Sequence, residues 1–165
     1  MIRRDVLKRF LGVFAAPAAL SLSAGAGSPR QQSGAASDPW TVDQTVQPEA
    51  FAKELANSIA SDKPVIVCVG FRNFYESAHV SGASLHGPSS TTDGLVDLKQ
   101  YVQGLQRTAN LVIYCGCCPL VKCPNVRPAF TLLRDMGFAR SRLLVLTQNF
   151  AADWMKAGYP VDKSL

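Results

Sequence analysis

Four of the five cysteines lie in one short segment, at a spacing that allows their thiols to act together. Residues 115–123 read Cys-Gly-Cys-Cys-Pro-Leu-Val-Lys-Cys. Thiolates attack sulfur electrophiles, bind soft metal ions and exchange with disulfides. The segment therefore predicts a loop for sulfur transfer, metal binding or redox chemistry.

The cysteine loop follows an apolar run and precedes a helical pattern. Leu111 to Tyr114 is typical of a strand buried on both faces, so Cys115 would stand at its carboxyl end. The next helix should begin near Asn125 or Val126, where unpaired N–H groups and the helix dipole stabilise an anion. Such surroundings can lower a cysteine pKa from about 8.5 to about 3.5–7.5. We therefore expect Cys115 to be a thiolate at neutral pH.

Apolar runs alternate with amphipathic patterns along the rest of the chain. The three clearest strands are expected at 64–69, 111–114 and 142–146. Helices are expected at about 48–58, 71–78, 95–105, 127–136 and 150–157. This alternation predicts an α/β domain whose central, mainly parallel sheet has helices on both faces. In such domains the reactive residues lie beyond the carboxyl ends of the strands.

The positive charge is concentrated at the N-terminus. The 165 residues contain 17 Lys and Arg against 12 Asp and Glu, a formal charge of +5. The first 26 residues hold four basic residues and one acidic residue, which leaves +2 for the rest of the chain. Since that remainder has no basic stripe with interleaved aromatics, the sequence predicts no nucleic-acid partner.

Residues 1–26 have the three-part order of an export signal. A basic head is followed by an apolar run and then by small residues that end at Ala26. The apolar run has about 13 residues, fewer than the roughly 20 that a spanning helix needs, so no permanent membrane span is predicted. Arg3 and Arg4 resemble a twin-arginine signal, which predicts periplasmic or extracellular export by that route.

The sequence after this signal divides into a linker and one domain. Residues 27–38 are rich in Gly, Ser and Gln and have almost no apolar side chain, so we expect a flexible linker. Residues 39–165 should form a single domain, because no second linker and no internal repeat follow.

Four segments, in chain order, resemble the rhodanese-like (sulfurtransferase) domain family. Residues 63–83 are similar to a strand followed by the family pattern E-x-x-x-G-H-I-P-G-A, and residues 111–115 look like the strand that ends in its catalytic cysteine. Residues 133–138 match the helix end after the active loop, and residues 153–161 match the closing W-x-x-A-G-Y-P-V segment. The resemblance implies a single rhodanese-like domain with a five-stranded, mainly parallel sheet.

The resemblance also implies an activity and a site. Cys115 would carry sulfane sulfur as a persulfide, without a metal or other cofactor, between a thiosulfate-like donor and a thiol or cyanide acceptor. The backbone N–H groups of Gly116, Cys117 and Cys118 would surround the outer sulfur. Implied partners are a small sulfur-containing anion or thiol, and a protein acceptor. The loop residues assigned to this binding are Gly116, Cys117, Cys118, Lys122, Cys123 and Arg127, with the two cations attracting the anion.

This chain departs from the family pattern at two places. The family's first strand usually ends Asp-x-Arg, where this chain has Cys68 and Gly70. The usual active loop is shorter and rich in Gly, Ser and Arg, whereas this loop is longer by roughly four or five residues and holds three additional cysteines. The family's fold therefore transfers to this chain more safely than its activity does.

Other interpretations of the cysteines remain open. A metal site on Cys115, Cys117, Cys118 and Cys123 would take Zn, Cu(I) or an iron–sulfur cluster. A disulfide of Cys123 with Cys117 or Cys118 would hold the loop together after export. The same pair could instead make the domain a thiol–disulfide oxidoreductase.

The remaining notable side chains have structural explanations. Cys68 is expected to be a small buried residue within a strand. His79 is expected to be buried and hydrogen-bonded, and His86 to lie in a loop. Trp40 and Trp154 are expected to fill the core.

Overall fold

The computed structural model describes residues 38–59 and 62–164. The predicted export signal, and the linker except for Asp38, lie outside the described residues. The division of the chain at residue 39 stays a prediction. Within the part of the chain that the structure describes, no helix is both long and apolar enough to cross a membrane.

A five-stranded parallel sheet forms the centre of the domain, as predicted. In chain order the strands are β1 (Thr45–Val46), β2 (Val65–Cys68), β3 (His79–Val80), β4 (Ser84–Leu85), β5 (Leu111–Tyr114), β6 (Ser141–Leu144) and β7 (Val161–Asp162). The sheet has the order β1-β6-β5-β2-β4, and all its neighbouring pairs are parallel. β5 is central and buried along its whole length, as its unbroken apolar run predicts.

Four α-helices connect or flank these strands. They are α1 (Pro48–Asn57), α2 (Arg72–Ser77), α3 (Thr92–Gln103) and α4 (Val126–Asp135). Pro48 occupies the first turn of α1, where its missing N–H costs no hydrogen bond. Gly137 ends α4 with φ +83°, a conformation that other residues rarely adopt. Four of the five predicted helices thus form within a few residues of their expected bounds.

Two apolar layers cover the sheet, one on each face. Alternate residues of β5 enter different layers: Val112 and Tyr114 join Phe51 and Trp154, while Leu111 and Ile113 join residues of α3 and α4. α1 ends at Asn57, and Ile59 beyond it is 70% exposed and does not join either layer.

The segment after β6 differs from the α-helix predicted for it. It forms a π-helical turn over Ala151–Met155, in which the Lys156 N–H donates to the Ala151 carbonyl. Asn149 begins this turn as predicted, since its side-chain oxygen accepts from the Ala152 N–H at 2.9 Å. The antiparallel ribbon of β3 and β7 was not predicted, because strands of two residues have no periodicity to detect.

Candidate active site

The cysteine loop begins at the carboxyl edge of the sheet. β5 ends at Tyr114 and Cys115 follows it directly, while β2 ends beside it at Cys68, the register partner of Tyr114. Cys115 lies at the centre of the sheet and is only 4% exposed. The predicted position of Cys115 at a strand end is therefore confirmed.

The four thiols of the loop form a continuous group, here called the cysteine cluster (Cys115, Cys117, Cys118 and Cys123). The sulfur of Cys117 lies 3.2 Å from that of Cys115 and 3.1 Å from that of Cys118. The sulfur atoms of Cys115, Cys117 and Cys123 all lie within 4.8 Å of one another. Three of the four predicted metal ligands therefore meet, and Cys118 stands outside that triad.

Backbone contacts to the segment after β6 hold the loop in place. The Leu120 N–H donates to the Leu146 carbonyl at 3.0 Å, and the Phe150 N–H donates to the Gly116 carbonyl at 3.1 Å. A Cβ atom at position 116 would lie 2.7 Å from the Phe150 Cβ. Gly116 is therefore needed for close packing of the loop against Phe150.

Asn125 is a site residue that the sequence analysis missed. Its side-chain N–H donates to the Cys115 sulfur at 3.4 Å, and its side-chain oxygen accepts from the Ser90 N–H at 2.9 Å. The Ser89 hydroxyl donates to the Asn125 carbonyl at 2.7 Å, and both side chains are fully buried. The one sequence signal for Asn125 was its position as a polar residue between the last loop cysteine and an amphipathic helix. Nothing in the sequence indicates its contacts with Ser89 and Ser90.

The protons in the cysteine cluster are not distributed as the sequence predicted. Hydrogen bonds with Cys117 and Cys123, together with burial, raise the pKa of Cys115 above the usual range. The hydrogen bond with Cys115 lowers the pKa of Cys117 to about 7. Cys115 likewise lowers the pKa of Cys123 to about 6, and the N–H groups of Asn125 and Val126 act in the same direction. The structure therefore favours a thiolate on Cys123 or Cys117 over the thiolate expected on Cys115, because the start of α4 faces Cys123.

The predicted loop disulfide does not form in the structure. All five cysteines are free, Cys68 and Cys123 as well as Cys115 being buried. Cys123 and Cys117 are nevertheless close enough within the triad for oxidation to join them after a small movement.

An aromatic cavity of about 220 Å³ opens beside the cluster. Its wall contains Cys68, Gly70, Phe71, Phe74, Tyr75, Ser77, Ala78, Tyr114, Gly116, Cys117, Asn149, Phe150, Ala151 and Met155. Phe71, Phe74 and Met155 are 37%, 50% and 41% exposed, so they form its mouth. The wall has no charged side chain, and of the cysteine cluster it includes Cys117 alone.

The two predicted cations stand away from this cavity. Lys122 is exposed and is not part of the wall. The Arg127 guanidinium is bound to the Asp38 carboxylate at 2.7 Å and lies over the Trp40 ring. The structure therefore provides neither cation to an anion in the cavity.

Cys68 and the two histidines occupy structural positions. Cys68 is 3% exposed within its strand, and burial raises its pKa to about 11. The His79 ring is buried, stacks on Tyr75 and makes a 2.8 Å hydrogen bond to the Tyr75 carbonyl. His86 stacks on Tyr101 and lies 3.2 Å from an Asp97 carboxylate oxygen. Neither histidine lines the aromatic cavity.

Comparison with solved structures places the fold. The chain is similar to the solution NMR structure of a rhodanese-like domain from Anabaena sp., with TM-score 0.55 and 20% identity over 73% of this chain and 79% of that one. The domain has a rhodanese-like fold. A protein from Bacillus halodurans gives TM-score 0.54 and 15% identity over 73% of this chain and 77% of its own. The rhodanese-like fold expected from the sequence is thus confirmed.

Sequence comparison, unlike structure comparison, identifies no relative of this chain. No protein-family model matches the chain, and no curated protein does. A protein from Lactobacillus plantarum has TM-score 0.50 at 15% identity over 73% of this chain and 88% of its own. At such identities the rhodanese-like fold is shared while the chemistry has to be argued from the site itself.

Proposed function

We propose that the protein is a sulfurtransferase of the rhodanese-like family that carries sulfane sulfur as a persulfide on Cys115. The observation that carries this proposal is the buried Cys115 sulfur at the central strand end, held between the Asn125 side-chain N–H and the Cys117 thiol. A fixed donor and a neighbouring thiol are what a sulfur nucleophile needs for activation and for stabilising the charge that develops on it.

The reaction would proceed by two displacements. Cys115 attacks the outer sulfur of the donor and its proton passes to Cys117, whose sulfur is 3.2 Å away. The bond between that sulfur and the donor breaks, and the remainder leaves as an anion, sulfite in the case of thiosulfate. An acceptor thiolate or cyanide then attacks the outer sulfur and releases Cys115. Every step exchanges one bond to sulfur for another, so no metal or external oxidant is required.

Intact mass measured without reductant tests the proposal. Reduced protein treated with thiosulfate or inorganic polysulfide should gain the mass of one sulfur atom, which cyanide should remove as thiocyanate. Cys115→Ser should abolish the gain, while Val121→Ser, at a 77% exposed position of the same loop, should retain it. No sulfur uptake by the wild-type protein from either donor, or full uptake by Cys115→Ser, would refute the proposal.

A soft-metal site is the second candidate function. The three sulfur atoms of Cys115, Cys117 and Cys123 lie within 4.8 Å of one another, and three thiolates are a ligand set that suits Cu(I) or zinc. Anaerobic titration with Cu(I) or zinc in the presence of a competing chelator tests this function. Binding of one ion that Cys123→Ser abolishes would support it, and no binding in competition with the chelator would remove it.

We also propose export by the twin-arginine route, with the mature chain starting at Gly27. The proposal rests on Arg3 and Arg4 and on the small residues before Gly27. N-terminal sequencing of the protein from the periplasm tests it. Replacing both arginines by lysine should hold the full-length chain in the cytoplasm, and unchanged export would contradict this route.

A further inference from the structure

Cys117, rather than Cys115, is the loop thiol in the wall of the aromatic cavity. Cys115 is 4% exposed and is not part of that wall. The two sulfur atoms are in contact at 3.2 Å, so an outer sulfur carried on Cys115 lies next to Cys117. A sulfur atom on Cys115 can therefore reach the cavity by way of Cys117.

The space beside the Cys115 sulfur is narrow. A Cβ atom at Gly70 would lie 3.0 Å from that sulfur and 3.7 Å from the Cys68 sulfur. A side chain at position 70 would therefore crowd the Cys115 sulfur, and glycine avoids that contact.

The cavity suits an uncharged molecule. Its wall has no charged side chain, and its polar side chains already have partners. The Tyr75 hydroxyl donates to the Ala83 carbonyl, the Ser77 hydroxyl donates to the Phe74 carbonyl, and Asn149 accepts from the Ala152 N–H. A buried anion without a partner is strongly disfavoured.

The size of the cavity indicates how large that molecule can be. A cavity of about 150 Å³ lined by apolar side chains binds benzene. The 220 Å³ measured here therefore accommodates one aromatic ring with a short substituent. The rings of Phe71, Phe74 and Phe150 in the wall provide matching apolar contacts.

We propose that Cys117 takes the sulfur atom from the Cys115 persulfide and delivers it to an uncharged, apolar thiol bound in the aromatic cavity. The inference rests on the proposed sulfurtransferase function. The Cys117 thiolate attacks the outer sulfur, the bond from that sulfur to Cys115 breaks, and Cys115 leaves as a thiolate. The acceptor thiol then attacks the outer sulfur on Cys117 while its proton passes to the Cys115 thiolate. This forms a persulfide of the acceptor, regenerates the Cys117 thiolate and returns Cys115 to the thiol. Each step forms one sulfur–sulfur bond and breaks another, so the electrons balance.

The experiment loads the protein with sulfur from polysulfide and then compares acceptors. The probes are phenylmethanethiol, the same thiol with a para-carboxylate, and cyanide. Alkylation followed by mass spectrometry measures the acceptor persulfide formed. Wild-type protein and Val121→Ser should transfer to phenylmethanethiol at least about tenfold faster than to the carboxylate.

Cys117→Ser separates delivery from loading. Because Cys117 also accepts the Cys115 proton during loading, we compare variant and wild-type protein loaded to the same sulfur content. We expect the loaded variant to release its sulfur to cyanide but to transfer to phenylmethanethiol at least about tenfold more slowly than the wild type. Transfer at the wild-type rate would overturn the role of Cys117. Equal or faster transfer to the carboxylate by the wild type would overturn the proposed class of acceptor. No gain of sulfur by the wild type would refute the sulfurtransferase itself, and this inference with it.

Phe74→Lys provides a second test at a position that tolerates change, because Phe74 is 50% exposed at the cavity mouth. The added cation should shift the preference between the two probes toward the carboxylate by about tenfold, measured on variant and wild-type protein loaded to the same sulfur content. An unchanged preference would place the acceptor outside the cavity and overturn the proposal.

Discussion

The two ends of the parallel sheet contain opposite chemistry. Near the amino ends of β5 and β6, Arg142 donates to the Glu54 carboxylate at 2.6 Å and to the Asn110 side-chain oxygen at 2.7 Å. A cavity of about 380 Å³ lies there among charged side chains. At the carboxyl ends, a smaller cavity of about 220 Å³ has no charged residue in its wall and includes two cysteines, Cys68 and Cys117.

This difference distinguishes a structural polar site from a reactive one. At the amino end the ion pair of Arg142 and Glu54 joins β6 to α1. At the carboxyl end no Lys or Arg of the described residues is hydrogen-bonded to a thiol of the cysteine cluster, so each thiol depends on other thiols, on Asn125 and on backbone N–H groups. Cavity size therefore does not identify the candidate active site of this domain, whereas its chemistry does.

The largest effect should follow from removing the Asn125 side chain. Asn125→Ala deletes the N–H that reaches the Cys115 sulfur and removes the acceptor of the Ser90 N–H. We expect a loss of about 2 kcal/mol in the free energy of unfolding, measured with urea, because a fully buried side chain loses two hydrogen bonds of about 1 kcal/mol each. Asn125→Asp keeps the acceptor, so it should restore part of the stability while still impairing sulfur uptake. Equal stability of Asn125→Ala and wild type would contradict this role.

Filling the space at Gly70 should affect chemistry more than stability. The Cβ of Gly70→Ala would lie 3.0 Å from the Cys115 sulfur, closer than side-chain carbons usually approach another atom, so it would displace the reacting thiol. We predict that sulfur uptake from polysulfide slows by about tenfold, as small displacements at reacting atoms do. Mass spectra of samples quenched at successive times measure the rate of sulfur uptake. Alkylation of Cys117 is the control that the loop is intact. Uptake at the wild-type rate would place the persulfide elsewhere.

The ion pair of Arg142 and Glu54, near the amino ends of the strands, should affect stability and leave sulfur transfer unchanged. The hydrogen bond from Arg142 lowers the pKa of Glu54, so its carboxylate stabilises the folded state above the pKa of the unfolded chain, about 4.3. That stabilisation is lost as pH falls through the lower pKa of the folded state. Glu54→Gln should cost about 1 kcal/mol at pH 7 and progressively less below pH of about 4.

The matched control for this prediction is Glu49→Gln, which removes an exposed pair with Lys53. Urea unfolding at neutral and acidic pH should show little change for that variant. A Glu54→Gln effect that grows as pH falls would contradict the assignment, as would any loss of sulfur transfer.

The smallest effect should come from salt. Since the cavity wall has no charge and Arg127 is neutralised by Asp38, no cation steers an anionic donor toward the loop. The rate of sulfur uptake from thiosulfate should change less than about twofold between low and high ionic strength. A steep decline with salt would instead indicate that exposed Lys122 captures the donor.

The elements with long apolar patterns could be predicted from the sequence, and the site only in part. β2, β5 and β6 follow from their apolar runs, and the position of Cys115 follows from β5. The order of the thiol pKa values could not be predicted, because it depends on which thiols contact one another and on which cysteine lies at the start of α4. The wall of the cavity comes from β2, α2 and the π-helical turn, segments that are far apart in the chain.

Mapping the added sulfur within the chain tests the central claim most directly. After loading with polysulfide, alkylation and peptide mass spectrometry would locate the persulfide among the five cysteines. We predict that it lies on Cys115 in the resting protein and appears on Cys117 when Cys115 is present to supply it. A persulfide confined to Cys118 or Cys68, or its retention on Cys117 in Cys115→Ser, would contradict the account.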